Sequence, residues 1–435
     1  MRVWARNLLA RWEALPPWAA FLLIFVCGVA ARLARSLLTG TYRDLDRFEM
    51  ERVALSFARR GTLADPYQIP TGATAHVDPL YAMLLGLIFR WFGTGYGAEI
   101  VKELFSSAAA ATLYGLLPSA APAFGVSRLA GLAAGLFGAL VPLEYLVEVA
   151  GDWEATVAAL ALFLVIWRLA VTWRRQEFTL LRGASEGLGW GVCALITSSL
   201  LSVFCLLMPL GLALARKSRR IPYLRYAAAN ICVLFLCLAP WAWRNSRQLG
   251  SAIFTRSNFG LELRMSNNDM AGPLEPENFK RGVYHAFHPL QSRSEAEAVR
   301  DMGEVAYNTD RLHKALSWIR THRRRFLQLT VRRFLYTWFP STPSHARDKF
   351  LWLLTIGSLI GILALWPSDR LGALIFSACL LSYTPIYYLI QVNIRYRYPV
   401  DWIILLTATH AAVVLAKHML GRVVQQNTSV EAVSG

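Results

Sequence analysis

Residues 18–38, WAAFLLIFVCGVAARLARSLL, run directly into residues 42–61, YRDLDRFEMERVALSFARRG, and this junction decides the fold. The apolar run is long enough to cross a bilayer as a helix, which takes roughly 20 residues. The polar stretch after it opens with two carboxylates, Asp44 and Asp46. Charge at a membrane boundary is costly and tends to be kept for function. No small-residue cleavage site precedes the polar stretch, so the run reads as a retained span rather than a signal peptide.

Similar runs recur along the chain. Its 435 residues are 55% apolar, with 15 Trp and a mean hydropathy of +0.37. This composition predicts an all-α polytopic membrane protein with roughly 9–11 transmembrane helices. The net charge of +17 gathers in short clusters beside the apolar runs: Arg2, Arg6 and Arg11; Arg174 and Arg175; Arg216, Lys217, Arg219 and Arg220; Lys417 and Arg422. That is a positive-inside pattern rather than a nucleic-acid signal, and it places the N-terminus, those loops and the C-terminus in the cytoplasm. The six cysteines all fall in apolar runs, so neither a disulfide framework nor a zinc-finger spacing arises.

The pattern divides the chain into a membrane module (1–243), a polar outer region (244–349), a closing set of spans (350–420) and a cytoplasmic tail (421–435). Within the first module, an outer loop spans 39–78 and holds a helical stretch from Asp46 to Arg60, ended by Gly61. Apolar segments follow at 79–93, 101–121, 128–147 and 155–173. The basic clusters leave room for an even number of crossings before residue 150, so the short 79–93 segment is expected to be re-entrant or interfacial. Residues 188–214 carry Thr197-Ser198-Ser199 at their middle and predict two shorter helices meeting outside. A span at 224–243 leads out. His313 to Phe339 reads as an amphipathic, Arg-rich helix on the membrane surface. Spans at 350–366, 372–390 and 398–418 close the chain, and the tail after Arg422 reads as disordered.

Several residues carry candidate chemistry. Asp46 and Glu49 fit a capping box at a helix start, or Asp46 faces a substrate; Asp44 needs a separate explanation, as a loop carboxylate near a metal or a sugar hydroxyl. Glu148, Asp152 and Glu154 form a second acidic cluster on the same face. Glu148 and Asp152 share a helix face if the helix continues; a solvated helix end is the plainer alternative. His76 and Asp78 offer two ligand atoms for a divalent metal, against a plain loop. His285 and His288 are weaker candidates. Arg244, Arg395 and Arg397 stand at the outer boundary, where guanidinium groups suit phosphate or snorkel to lipid headgroups. In an extended segment Arg395 and Arg397 would point the same way, with Tyr396 and Tyr398 facing the other. No zinc-protease, Walker or dinucleotide-binding motif occurs.

These motifs in this order resemble the GT-C membrane glycosyltransferases, and most closely the bacterial relatives of the protein O-mannosyltransferases, glycosyltransferase family 39. That branch includes the aminoarabinose and galacturonosyl transferases. The resemblance rests on the acidic pair before a helix ending in Gly61, on Asp78-Pro79-Leu80-Tyr81 and Phe92-Gly93, on Pro240-Trp241-Ala242-Trp243-Arg244-Asn245, on Arg256-Ser257-Asn258-Phe259-Gly260-Leu261-Glu262-Leu263 with Asn267-Asn268, and on Arg395-Tyr396-Arg397-Tyr398-Pro399. Arg47 stands where the family often has Glu, Asp78 where it has the first of two prolines, and Ser198-Ser199 where relatives often have Arg-Pro.

The resemblance implies a GT-C fold and transfer of a hexosyl or pentosyl group from a polyprenyl-phosphate donor to a lipid, glycan or protein acceptor. Transfer would occur at the periplasmic face of the inner membrane, with inversion at the sugar carbon. Asp46, with Asp44 sharing the role, would be the general base, and the arginines would hold the donor phosphate. An outer cavity is expected where Asp46 approaches residues 148–154. An oligosaccharide ligase of similar architecture is the nearest alternative. A lipid or anion transporter would predict mid-span charges and a repeat in the two halves, and neither is found.

Overall fold

The computed structural model describes residues 14–141, 145–341 and 345–433; the basic residues Arg2, Arg6 and Arg11 lie outside this range. The first part of the chain forms α1 (Pro17–Thr39), α2 (Glu49–Arg60), α3 (Pro79–Phe92), α4 (Tyr96–Ala120), α5 (Arg128–Leu140), α6 (Tyr145–Ala150), α7 (Ala155–Arg175), α8 (Leu180–Ile196), α9 (Leu201–Leu214) and α10 (Arg220–Leu249). The polar region holds α11 (Phe259–Ser266), α12 (Glu275–Lys280), α13 (Val283–Phe287), α14 (Arg293–Met302), α15 (Glu304–Thr321) and α16 (Arg323–Trp338). Then come α17 (His345–Leu365), α18 (Arg370–Tyr383), α19 (Ile386–Leu389) and α20 (Tyr398–Val433). Among the described residues, extended pairing is limited to two isolated bridges, Ala64 with Ala73 and Leu274 with Val392.

Among the described residues, seven helices are long and apolar enough to cross a membrane: α1, α4, α7, α10, α17, α18 and α20, with small differences at their ends. α3, α5 and α9 are apolar but shorter. Contacts at α3 settle the parity problem. Asp78, at its start, accepts a hydrogen bond from the Ser198 backbone (3.0 Å), at the α8–α9 junction. Just after its end, Arg47 donates to the Thr94 carbonyl (3.2 Å), and Lys102 of α4 meets Asp152. The helix therefore starts and finishes at one end of the bundle and does not cross, as its length suggested. At the other end Arg174 pairs with Asp369 and donates to the Ala123 carbonyl.

Three expectations change. The helix of the first loop begins at Glu49, not Asp46, because the Asp44 carboxylate accepts the Asp46 backbone N–H (3.0 Å) and bends the chain there. Phe48 holds the N-cap position, so no capping box forms. The helix does end at Gly61, whose φ of +70° is the left-handed conformation glycine adopts freely. The 313–339 segment is two helices, broken at His322, and α16 buries Leu329, Arg333 and Thr337 along one stripe. The last helix continues past Arg422 to Val433 instead of ending in a disordered tail.

Core packing is dense and aromatic where α7, α18 and α20 meet: Trp402 lies edge-on to Phe163, with centroids 5.1 Å apart, and Phe376 lies 4.9 Å from Phe124. α8 approaches α10 more closely, through Gly183, Gly187 and Gly191, one per turn. A Cβ at Gly183 would strike the Tyr226 carbonyl oxygen, and one at Gly187 the Asn230 carbonyl oxygen. Small residues at this spacing let two helix backbones touch in a membrane, where hydrophobic exclusion does not drive helices together. Gly187→Ala should therefore push α8 from α10 and cost about 1–3 kcal/mol. The measurement is the melting temperature of the detergent-solubilised protein, with the exposed, unopposed Gly95→Ala as the control that should not move.

Candidate functional site

At the end of the bundle where α3 begins, a cavity of about 1010 Å³ opens between the first loop, the α8–α9 junction, α11–α13 and the segment before α20. Phe48 and Glu49 line one side, and Trp153 and Glu154 another, with the Phe48 and Trp153 rings 6.4 Å apart. The two acidic segments singled out in the sequence thus meet at one cavity.

The individual residues divide differently from expectation. Asp46 is exposed, two residues before the cavity wall, and its carboxylate makes no hydrogen bond or ion pair among the described residues. Asp44 is exposed beside it, engaged with the Asp46 backbone. Glu148 is buried in the bundle against Arg32 of α1. Asp152 bonds Lys102 (2.5 Å) instead. The helix that would have kept Glu148 and Asp152 on one face stops at Ala150, and Gly151 turns the chain with φ +67°. Glu154 alone of the three faces the cavity, 3.9 Å from Arg256.

The arginines also separate. Residues 394–396 form a 3₁₀ turn rather than an extended strand, so Arg395 and Arg397 point apart. Arg395 lines the cavity, stacked 4.0 Å over Trp153 and 3.5 Å from Glu275. Burial works against its charge, but Glu275 and Tyr396 more than offset this and hold its pKa above the ordinary arginine value. Arg397 is buried against Asp401 (2.7 Å) and donates to the Thr337 carbonyl (3.1 Å). Arg244 donates to the carbonyls of Thr74 (2.7 Å) and Leu63 (2.6 Å), clamping the first loop. Neither is placed to reach a ligand in the cavity, so the expected phosphate role rests on Arg395.

Four further groups were not singled out individually. Arg256 lines the cavity between Glu154 and Asp78 (3.8 Å) and donates to the His76 carbonyl (3.0 Å). Glu262 and Glu275 line it too. Glu49 was considered only as a cap, yet its buried carboxylate meets His288 Nε2 at 3.2 Å. The Leu290 N–H donates to His288 Nδ1 (3.1 Å), which assigns the proton to Nε2, facing Glu49. Burial holds the His288 pKa down to about 4, so the ring is neutral. Burial also raises the Glu49 pKa above the usual carboxylate range. The motif from Arg256 to Leu263 covers Arg256 and Glu262 of this wall, Glu49 carries only a capping signal and His288 only that of a lone histidine, and no sequence signal points to Glu275.

Comparison with protein-family models and with curated proteins finds no match to this sequence. Solved structures do match. The apo oligosaccharyltransferase of Archaeoglobus fulgidus aligns with a TM-score of 0.59 and 13% identity over 96% of this chain and 52% of that one. The same enzyme in complex with Zn and sulfate gives 0.55, 12%, 95% and 51%. The archaeal oligosaccharyltransferase AglB from that organism, bound to an inhibitory peptide and a dolichol-phosphate, gives 0.53, 13%, 94% and 52%. The chain spans about half the length of these proteins. The likeness shows the fold: this is an all-α polytopic membrane protein with the GT-C architecture.

A divalent metal fits these residues poorly. His76 Nδ1 is bonded to the Tyr67 hydroxyl (3.0 Å) and burial keeps the ring neutral. Asp78 is fully buried, its pKa pushed up to about 7 by that burial, and Ser198 takes one of its oxygens. Among the described residues, the carboxylates that do converge are Glu51, Glu99 and Asp152, with ligand oxygens within 4.8 Å of one another. Lys102 Nζ already sits among them, at 2.7, 2.6 and 2.5 Å.

The two neighbouring arginines should respond differently to truncation. Arg397→Ala leaves Asp401 buried without its partner and should cost about 3–5 kcal/mol, the usual penalty for a broken buried pair. Arg395→Ala, at a cavity wall, should cost far less. Thermal melts of both variants in detergent test the division; equal losses would place both arginines in the structural class.

Proposed function

We propose that the chain transfers a glycosyl group from a lipid-linked donor, a polyprenyl-phosphate sugar, to a lipid, glycan or protein acceptor. The observation that carries this reading is the cavity itself. It combines Arg395 and Arg256, carboxylates, and aromatic faces at one membrane boundary, in a fold shared with an oligosaccharyltransferase solved with dolichol-phosphate. Aromatic rings and carboxylates suit a sugar; paired guanidinium groups suit its phosphate. The basic clusters at the opposite end of the bundle support an outward-facing cavity, periplasmic in a cell with an inner membrane, and a cytoplasmic C-terminus.

In this reading the acceptor hydroxyl attacks the anomeric carbon, the bond from that carbon to the phosphate oxygen breaks, and the configuration inverts. Arg395, stacked on the flat face of Trp153, holds the phosphate and stabilises the charge that grows on the leaving oxygen. Asp46, exposed two residues before the cavity wall, takes the acceptor proton as general base, with Asp44 fixing the turn that presents it. Glu49, buried on the cavity wall and tied to His288, hydrogen-bonds a sugar hydroxyl. No step uses a metal.

The cavity volume favours a second reading, in which the transferred group is an oligosaccharide. A single sugar leaves much of about 1010 Å³ unfilled. Mass spectrometry of envelope lipids and glycans, with and without the gene, separates these outcomes by the mass that disappears. An unchanged glycan profile would overturn both.

Two substitutions test the assigned roles. Asp46→Asn should lower transfer about 10²–10⁴-fold with folding intact, whereas Glu49→Gln, which can still donate a hydrogen bond, should lose about tenfold or less. The reverse order would make Glu49 the base.

Arg395→Lys keeps the charge but loses the planar fork. It should weaken donor affinity by about 1.5–3 kcal/mol, read from the donor-concentration dependence of transfer in membranes. Normal donor dependence would leave Arg395 a structural residue.

A further inference from the structure

Lys102 lies at the cavity end of α4, a candidate membrane span, and only 2% of its side chain is exposed. A lysine is rarely buried this deeply unless it is paired. Its ammonium contacts three carboxylates from three separate segments: Glu51 of α2 (2.7 Å), Glu99 one turn earlier on α4 (2.6 Å) and Asp152 of the turn before α7 (2.5 Å). Arg47 reaches two of the same groups, Glu51 at 2.8 Å and Glu99 at 2.5 Å. Hard divalent cations take this kind of ligand set, several carboxylate oxygens converging on one point. Here an ammonium group from the chain stands at that point.

We propose that Lys102 is a built-in substitute for a divalent cation: it gathers Glu51, Glu99 and Asp152 and makes the protein independent of metal. The charge balance supports this. With Lys102 and Arg47 in place, three carboxylates face two cations. A divalent ion added to that set would meet Lys102 at close range and be repelled. Without Lys102, the buried Glu51 and Glu99 and the half-buried Asp152 would face Arg47 alone, an arrangement that is costly for the buried unpaired charges and suits a divalent ion in charge and spacing.

The cluster also has a positioning role. Arg47 and Glu51 flank Phe48 and Glu49 in sequence, and Asp152 adjoins Trp153 and Glu154. Lys102 therefore pins both acidic segments of the cavity wall through one atom. Trp153, next to Asp152, carries Arg395 on its ring face at 4.0 Å. Lys102 touches none of the cavity itself and acts through these neighbours.

The test uses purified full-length protein in detergent and needs no transfer assay, so it stands or falls apart from the functional reading above. Wild-type protein should contain no stoichiometric Mg, Ca, Mn or Zn by elemental analysis, and EDTA should leave its melting temperature unchanged. Lys102→Ala should melt at a lower temperature in EDTA and recover at least half the loss in millimolar Mn²⁺ or Mg²⁺. The double variant Lys102→Ala/Asp152→Asn should not recover. Lys102→Gln, closer in length, serves as a second probe if the alanine variant folds badly, and should recover in the same way. A wild-type protein that holds one divalent ion per chain, lost in Asp152→Asn, would overturn the proposal. So would failure of both single variants to gain stability from any divalent ion, since a purely structural salt bridge is not rescued by metal.

Discussion

Backbone polar groups near a membrane have no water to turn to, and irregular chain at that depth must be satisfied by protein. This constraint shapes the cavity end of the molecule. Arginines meet part of it, beside backbone pairs such as Ser257 with Ala75 and Val392 with Pro273. Arg244 holds the Leu63 and Thr74 carbonyls, Arg333 those of Ser266 and Leu389, Arg256 that of His76, and Arg32 those of Gly138 and Ala139. On the donor side, the Glu304 carboxylate accepts the Ala75 N–H (2.7 Å) and the hydroxyls of Thr74 and Ser257. A guanidinium presents five donors in a rigid fork, so one side chain can close two or three open carbonyls that no helix would satisfy. The first loop, α11 and the segment before α20 keep their shape by these bonds, and the cavity is the space left between them.

The same economy explains why so many charges lie deep in an apolar protein. Arg32 and Glu148 pair inside the bundle; Arg397 and Asp401 pair at the head of α20. Each pair also ties a helix end to a neighbouring segment. Arg397 reaches the end of α16 through the Thr337 carbonyl, and Arg32 reaches the end of α5. Such pairs are poor sources of net stability, because desolvation offsets most of their attraction. Their effect is to fix which segments meet, and a mispaired arrangement would leave a bare charge in hydrocarbon.

The membrane architecture was legible in the sequence because bilayer thickness sets a length that apolar runs must meet. The re-entrant 79–93 segment, the break at Thr197-Ser198-Ser199 and the stop at Gly61 all followed from length, polarity or backbone freedom. Site assignments were harder for a specific reason. Sequence placed Arg244, Arg395 and Arg397 at one boundary, but only Arg395 lines the cavity. Their directions depend on a 3₁₀ turn at 394–396 and on open carbonyls sixty or more residues away, which no local pattern encodes. Glu148 and Asp152 were separated by one left-handed glycine, Gly151. Glu49 was read as a cap because its spacing from Asp46 fits one; the Asp44 turn moved the helix start and turned Glu49 inward.

That displacement bears directly on the chemistry. Had the helix begun at Asp46, its carboxylate would have been consumed by backbone N–H groups, as a cap, and Glu49 would have reached back to the same turn. With the start moved to Glu49, Asp46 stays exposed two residues before the cavity wall, and Glu49 is enclosed beside a neutral His288. Two carboxyl groups three residues apart thus occupy opposite environments, one wet and one dry. The Asx turn at Asp44, worth a single hydrogen bond, is what sets that division here.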